Sequence, residues 1–394
     1  MTEFSKIDMG EVTRLTREGR LDEAMAMLKG SAVRGFAPSA DGTIGSPLDL
    51  GREPGRHSRW AMPSGMPVSD SGNAPGSAYG TKDWFSSLNG RPRGFQEGPR
   101  LPTARGASAN PAVPEGARFT DHCHSGTAGR RSYKLYVPSS YEEGRERHPL
   151  VVMLHGCTQS PDDFARGTRM NEIAEELGFL VVYPGQSQSA NIQKCWNWFE
   201  TKDQQRDTGE PSLIAGITRE VMAGYSIDPK RVFIAGLSAG GAAAAVMGQR
   251  YPDLFAAVGV HSGLACGAAR DMSSAFTAMR GGSPVRAGER IIPTIVFHGD
   301  GDTTVAPVNG DHVLEQAKAG TIATPVETRG VSKGGVAYTR TVQREADGRE
   351  RLESWRIHGA GHAWSGGSAA GSYTLPSGPD ASREMIRFFL ALSA

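Results

Sequence analysis

Apolar and polar positions form two alternating patterns along the last two thirds of the chain. Short continuous apolar runs, typical of strands buried on both faces, recur from Tyr133 onward. Segments with apolar residues at helical spacing lie between them. This alternation predicts an α/β fold with a mostly parallel sheet covered by helices on both faces. The predicted strands are 132–137, 149–155, 180–183, 232–235, 256–261, 291–298 and 353–358, and the predicted helices are 162–177, 211–225, 239–251, 308–319 and 382–392.

Most of the chain before residue 118 shows neither of these two patterns. Residues 1–29 have apolar side chains at near-helical spacing among charged ones, which predicts a short N-terminal amphipathic helical segment. Residues 30–117 contain 37 Gly, Pro or Ser among 88 positions and no periodic apolar pattern, which predicts a flexible, disordered linker. We therefore expect a helical segment (1–29), a linker (30–117) and a catalytic domain (118–394).

Composition excludes several classes of protein. The net charge is +1 over 394 residues, so we expect no nucleic-acid partner. The longest apolar runs are strand-sized, well short of the ~20 residues of a membrane helix. The first residues are charged and do not resemble a secretory signal, which predicts a cytoplasmic location. The four cysteines show no zinc-binding spacing, so neither a metal nor another cofactor is expected.

A serine between glycines, in the pattern G-x-S-x-G, occurs at Ser238 and again at Ser332. In α/β-hydrolases this pattern forms a sharp turn between a buried strand and a helix, with the nucleophile at its tip. Only Ser238 has an apolar run before it and a helical pattern after it. The flanking Gly236 and Gly240 suit a strained turn in which side chains would crowd the serine. We predict an α/β-hydrolase fold with Ser238 as nucleophile.

A nucleophilic serine requires a base and an orienting carboxylate, which in this fold follow it in the order acid, then histidine. The segment after the apolar run 291–297 offers Asp300 and Asp302, and we favour Asp302 because it lies further into the loop. Asp300 is the better candidate for capping the turn. His358 ends a predicted strand, whereas His362 lies on a glycine-lined loop, so His362 is the predicted base.

Attack on an ester also places negative charge on the carbonyl oxygen, which requires preorganised N–H donors. The backbone amide of Ala239, directly after the nucleophile, is one predicted donor. The amide of Cys157, in the His-Gly-Cys segment after an early predicted strand, is the other.

The region from about 130 to 392 resembles the esterase family that includes polyhydroxybutyrate depolymerases and, more distantly, feruloyl and acetylxylan esterases. The segments that carry the resemblance are LHGCTQ (154–159), VVYPGQ (181–186), CWNWF (195–199), IDPKRVFIAGLSAGG (227–241), FHGDGDTTV (297–305) and GAGHAWSGG (359–367). The resemblance implies the same nucleophile, acid, base and oxyanion donors as the interpretation from the residues.

The resemblance further implies that Cys157 and Cys195 pair as a disulfide beside the active site. Because disulfides are unusual in the cytoplasm, two buried thiols packing like small apolar groups are the alternative. Trp196, Trp198 and Trp364 lie near the predicted site loops in sequence and are candidate walls of an apolar substrate groove. Packing in the core is the alternative for these rings.

The function implied is a serine ester hydrolase that cleaves polyhydroxyalkanoate, such as poly-3-hydroxybutyrate, or its oligomers through an acyl-enzyme intermediate. Alternatives are a feruloyl or acetylxylan esterase, a general short-chain carboxylesterase, and a non-enzymatic granule-associated binding protein. Related family members are extracellular, whereas the charged N-terminus predicts an intracellular polyester or small ester as substrate. Residues 1–29 are a candidate contact with a polymer granule, with packing on the protein or on a partner helix as the alternative.

Overall fold

The computed structural model describes residues 113–285, 291–318, 324–345 and 348–392. The predicted helical segment 1–29 and positions 30–112 of the predicted linker lie outside the described residues. The first strand begins at Arg118, the first residue of the predicted catalytic domain.

One large sheet organises the described residues. Its strands are β1 (Arg118–Gly126), β2 (Gly129–Val137), β3 (His148–Leu154), β4 (Leu180–Pro184), β5 (Ile227–Leu237), β6 (Ala257–His261), β7 (Thr294–Gly299), β8 (Val326–Val331), β9 (Ala337–Arg344) and β10 (Glu350–Ile357). Their order across the sheet is β1-β2-β4-β3-β5-β6-β7-β10-β9-β8. The six neighbouring central strands, β4-β3-β5-β6-β7-β10, are parallel to one another. The hairpins β1-β2 and β8-β9 extend the two edges of the sheet with antiparallel pairing.

Helices cover both faces of this sheet, each face burying its own apolar cluster. The helices are α1 (Pro161–Thr168), α2 (Met170–Leu177), α3 (Gly209–Gly224), α4 (Ala239–Arg250), α5 (Met272–Gly281), α6 (Val308–Ala317) and α7 (Ala381–Ala391). Apolar residues of α3, α4, α5 and α6 belong to one cluster, and those of α1, α2 and α7 to the other. Each helix among the described residues is too short or too polar to span a bilayer.

The helix predicted over 162–177 is two helices, because Arg169 adopts a left-handed conformation with φ 57°. The carbonyls that would continue the first helix are bound by distant groups instead. Gly167 O accepts from Ser368 N at 2.8 Å, and Thr168 O accepts from Ser382 Oγ at 2.6 Å. These contacts span about two hundred residues of sequence, so the local helical pattern could not reveal the break.

The apolar patterns used for prediction are also lacking in the polar strands β1, β8 and β9, which lie at or next to the sheet edges, and in the helix α5. Strands β8 and β9 form a hairpin, and the second G-x-S-x-G motif lies at its turn. Ser332 there donates its hydroxyl hydrogen to the Ser377 carbonyl oxygen at 2.5 Å. Ser332 is therefore a turn residue, as the missing strand–helix context predicted.

Candidate active site

Ser238 lies at the junction between β5 and α4, with φ 57° and ψ −120°. This is a strained conformation for a residue with a side chain. A Cβ atom at Gly236 would lie 2.3 Å from the Gly240 carbonyl oxygen, and one at Gly240 would lie 2.1 Å from the Leu154 carbonyl oxygen. The turn thus requires both glycines, and it holds the serine at the start of a helix, where unpaired N–H groups favour negative charge.

Asp302 and His362 lie on the loops that follow the neighbouring parallel strands β7 and β10. The Nδ1 atom of His362 is 2.7 Å from Oδ2 of Asp302, whose side chain is 0% exposed. The other carboxylate oxygen accepts hydrogen bonds from the backbone N–H groups of Thr304 and Val305, both at 2.9 Å. Both oxygens of this buried carboxylate therefore bind groups of the protein.

The charge of Asp302 is stabilised despite its burial. Burial by itself raises the pKa of the carboxyl group, but hydrogen bonds from His298 and His362 outweigh it and hold the pKa well below its ordinary value. The carboxylate is consequently ionised at neutral pH. An ionised partner on Nδ1 fixes the tautomer of His362 and leaves Nε2 available to accept a proton.

Asp300 and His358, the alternatives from the sequence, pair with each other instead. Oδ2 of Asp300 is 2.8 Å from Nδ1 of His358, and Nε2 of His358 is 3.0 Å from Oγ1 of Thr339. Asp300 is 38% and His358 41% exposed, and neither lines the pocket that contains Ser238. Asp300 also accepts from the Gly359 amide at 2.6 Å, so it caps the turn, in line with the sequence interpretation.

One pocket brings Ser238 and His362 together with the segment that contains Cys157. Its lining residues come from seven separate stretches of the chain: Gly156, Cys157, Thr158, Gln159, Gln193, Cys195, Leu237, Ser238, Met279, Thr304, His362 and Tyr373. Sequence reasoning missed Gln193, Met279 and Tyr373, which lie outside the quoted motifs. It gave no role to four further lining residues that lie within those motifs, namely Thr158, Gln159, Leu237 and Thr304. The Asp271–Ser274 capping box at the start of α5 was the one local signal that would have found the helix carrying Met279.

The Gly156–Cys157 peptide is held in a fixed orientation beside Ser238. The Gly156 carbonyl oxygen accepts a hydrogen bond from Nδ1 of His155 at 2.7 Å. Nε2 of His155 accepts one from the backbone N–H of Gln186 at 3.0 Å. Burial lowers the pKa of His155 to about 4, so the ring stays neutral and keeps this tautomer near pH 7. Because a peptide unit is planar, fixing the carbonyl also fixes the N–H of Cys157, which points the opposite way.

The amide of Cys157 has no hydrogen-bond partner within the described part of the chain. Ala239, the other predicted donor, is the first residue of α4, where backbone N–H groups lack helical partners. Cys157 lines the pocket, whereas Ala239 directly follows the serine and is 3% exposed, outside the residues that line it. An oxyanion hole requires two such N–H donors.

A disulfide joins Cys157 to Cys195, across 38 positions of sequence. Both cysteines line the pocket and pack against the apolar core. The bond ties the loop after β3 to the long loop after β4, so it stabilises the pocket wall next to the Cys157 amide. Cys123 and Cys266 are unpaired thiols.

The predicted aromatic groove is wrong. Trp196 is 0%, Trp364 1% and Trp198 6% exposed, and none of the three lines the pocket. The indole N–H of Trp196 donates to the His155 carbonyl at 3.1 Å, and that of Trp364 donates to Ser382 Oγ at 3.1 Å. These rings fill the core beneath the site loops, because burying their large apolar area against satisfied polar groups is favourable.

The described residues contain no group of three or more His, Cys, Asp or Glu side chains arranged to hold a metal ion.

The family model described as esterase PHB depolymerase matches residues 131–340. Poly(3-hydroxyalkanoate) depolymerase C of Paucimonas lemoignei is 36% identical over 232 residues, covering 54% of this chain and 54% of that protein. Feruloyl esterase B of Neurospora crassa is 32% identical over 131 residues, covering 33% of this chain and 43% of that protein. The chain thus spans about half the length of these curated relatives or less.

Among solved structures, the acetyl xylan esterase from Aspergillus awamori matches with a TM-score of 0.52 at 19% identity, covering 70% of this chain and 99% of that one. At this identity the likeness concerns the fold alone. It confirms the predicted α/β-hydrolase fold.

Proposed function

Because the chain belongs to the esterase PHB depolymerase family, we propose that it is a serine ester hydrolase with Ser238 as nucleophile, His362 as base and Asp302 as orienting acid. The observation that carries this proposal is the hydrogen bond of 2.7 Å between buried Asp302 and His362, whose ring lines the same pocket as Ser238. An Asp–His pair by itself is often structural. This pair lies beside Ser238, whose backbone conformation is strained, and beside the unpaired amide of Cys157.

The first step transfers an acyl group to the enzyme. Ser238 Oγ attacks the ester carbonyl carbon while Nε2 of His362 accepts the hydroxyl proton. The resulting negative charge on the carbonyl oxygen is stabilised by the amides of Cys157 and Ala239. Collapse of this intermediate breaks the bond to the leaving alcohol, which takes the proton from His362.

The second step returns the enzyme to its starting state. Water attacks the acyl carbonyl carbon and gives one proton to His362, and the same two amides stabilise the second oxyanion. Ser238 then leaves with that proton as the carboxylic acid is released. The ionised Asp302 stabilises the positively charged imidazole in both steps.

We further propose that the substrate is a polyhydroxyalkanoate or its oligomers. The relative with 36% identity over 54% of this chain is named as a poly(3-hydroxyalkanoate) depolymerase, which supports this substrate class. Leu237, Met279 and the Cys157–Cys195 disulfide give the pocket apolar walls that suit a short aliphatic acyl unit. Contact with a polymer granule through residues 1–29 is a further part of the proposal, based on sequence alone. A cytoplasmic location also rests on sequence alone, and the Cys157–Cys195 disulfide argues against it, because such bonds are unusual in the cytoplasm.

A carbohydrate ester is the second candidate, because feruloyl and acetylxylan esterases also match about a third of the chain. The full chain should be assayed on 3-hydroxybutyrate oligomers, short p-nitrophenyl esters, a feruloyl ester and acetylated xylan. We expect the highest kcat/KM on the hydroxybutyrate oligomers, since the pocket has apolar walls and its lining, in the described part of the chain, includes no tryptophan that could stack on a sugar or aromatic ring. A higher kcat/KM on the feruloyl ester or on acetylated xylan would reject the polyester assignment and retain the serine mechanism.

A further inference from the structure

Gln159 is a buried polar side chain that the proposed triad and amide donors leave unexplained. It lies two residues after Cys157 and is 2% exposed. Its Oε1 atom accepts a hydrogen bond from the Gly156 N–H at 2.9 Å. A Cβ atom at Gly156 would lie 3.1 Å from the same oxygen, so the loop and this carboxamide are in close contact.

The hydrogen bond to Gln159 restrains Gly156, the residue directly before Cys157, whose backbone amide is unpaired. Gly156 is held on one side by Gln159 Oε1 and on the other by His155, which binds its carbonyl at 2.7 Å. With both polar groups of Gly156 bound, the peptide plane that contains the Cys157 N–H has little freedom to rotate. Without the Gln159 bond, only the His155 bond to the carbonyl would hold Gly156, and glycine's wide range of backbone conformations would let the Cys157 N–H deviate from its direction.

The nitrogen of the same carboxamide binds a different part of the protein. Nε2 of Gln159 donates to the Ser372 carbonyl oxygen at 3.1 Å and lies 3.1 Å from Oδ2 of Asp163. Asp163 in turn accepts from the Ser372 N–H at 3.1 Å. Ser372 precedes Tyr373, which lines the pocket and whose hydroxyl is 3.3 Å from Thr158 Oγ1. One buried amide thereby joins the Cys157 loop to the Tyr373 loop.

We propose that Gln159 is the positioning residue of the oxyanion hole, directing the Cys157 N–H at the charge that forms on the substrate. The inference rests on the proposed function. Only a side chain with an acceptor on one branch and a donor on the other satisfies both neighbours, because Gly156 presents an N–H and Ser372 presents a carbonyl. Neither a carboxylate nor an apolar side chain of similar length meets both requirements.

The first test is Gln159→Met, which keeps the length of the side chain and removes both hydrogen bonds. Complete loss of an oxyanion donor lowers kcat about 10²- to 10³-fold, so misdirecting one should lower it about 10- to 100-fold. We expect KM to change less than about threefold, since the interaction strengthens only in the transition state. Affinity for a boronic acid that forms a tetrahedral serine adduct should fall by the same factor as kcat/KM.

Gln204→Met is the matched control. Gln204 is another buried glutamine that bonds two backbone groups, accepting from the Gly267 N–H and donating to the Ala269 carbonyl, both at 2.7 Å. It does not line the pocket. We expect this control to lower thermal stability comparably while kcat and boronic-acid affinity stay at wild-type values. Equal kinetic losses in the two variants, or wild-type kcat in folded Gln159→Met, would overturn the positioning role.

Gln159→Glu supplies a second readout that does not depend on how Gln159→Met folds. An ionised carboxylate at this position retains the acceptor for Gly156 but faces Asp163 and the Ser372 carbonyl without a proton to donate. Protonation restores the donor, so the ratio of variant to wild-type kcat should rise as the pH falls. A ratio independent of pH would contradict the proposal.

The outcomes also separate this inference from the function on which it rests. A wild-type enzyme that hydrolyses no ester and is not labelled by a fluorophosphonate contradicts the proposed function itself. An active wild type with unimpaired Gln159 variants contradicts the positioning role alone.

Discussion

Replacement of Ser238 by alanine is expected to lower kcat for every hydrolysed ester by at least about 10³-fold. The substitution removes the only atom that forms the acyl bond, while the pocket, the base and both amides remain. A residual rate above the uncatalysed reaction is expected, because the oxyanion donors still stabilise attack by water. Initial rates on p-nitrophenyl butyrate and hydroxybutyrate oligomers, with circular dichroism as the folding check, measure the effect.

Ser332→Ala is the matched control, since Ser332 is the central residue of the other G-x-S-x-G sequence. Its hydroxyl is bonded to the Ser377 carbonyl in a hairpin turn outside the pocket. We expect kcat to stay within about twofold of wild type. Stability should fall by about 1–2 kcal/mol, because the bond to the Ser377 carbonyl and the bond from the Val336 N–H are both lost. Unchanged hydrolysis in Ser238→Ala, or a loss confined to Ser332→Ala, would reject the mechanism.

Asp302→Asn should have the second large effect, lowering kcat about 10⁴-fold at neutral pH. The amide is nearly isosteric, but it removes the negative charge and presents either a donor or a weaker acceptor to His362. The imidazole then loses both its tautomer and the stabilisation of its protonated form. Steady-state kinetics across pH, with thermal unfolding to confirm the fold, would measure the change.

Asp300→Asn provides the comparison, because Asp300 pairs with a histidine by the same geometry at 2.8 Å, but its partner His358 lies outside the pocket that His362 lines. We expect its kcat to stay within about threefold of wild type. A larger loss in Asp300→Asn than in Asp302→Asn would assign the orienting acid to the other carboxylate.

The sequence was sufficient for the fold and for the candidates at the site because both depend on local order. Continuous apolar runs predict buried parallel strands, and the turn after one of them requires Gly236 and Gly240 for reasons visible in the pattern itself. The choice between Asp300 and Asp302 was less secure, since each follows the same strand. The structure distinguishes them by burial and by the partner that each one reaches.

Long-range contacts account for what the sequence did not reveal. The break at Arg169 depends on Ser368 and Ser382, and the burial of the tryptophans depends on acceptors far along the chain. Trp364 is close in sequence to the loop of His362, and this closeness wrongly suggested a place in the substrate groove. Its ring instead packs in the core beneath that loop. Likewise Tyr373 reaches the pocket through a loop that carries no motif.

The acyl-enzyme intermediate offers the most direct test of the central claim. Full-length enzyme would be mixed with excess hydroxybutyrate oligomer, quenched in acid during turnover, digested and examined by mass spectrometry. We expect a hydroxyacyl adduct on the peptide that contains Ser238, absent from Ser238→Ala. Rapid hydrolysis with the adduct on another residue, or an undiminished rate in Ser238→Ala, would contradict the proposal.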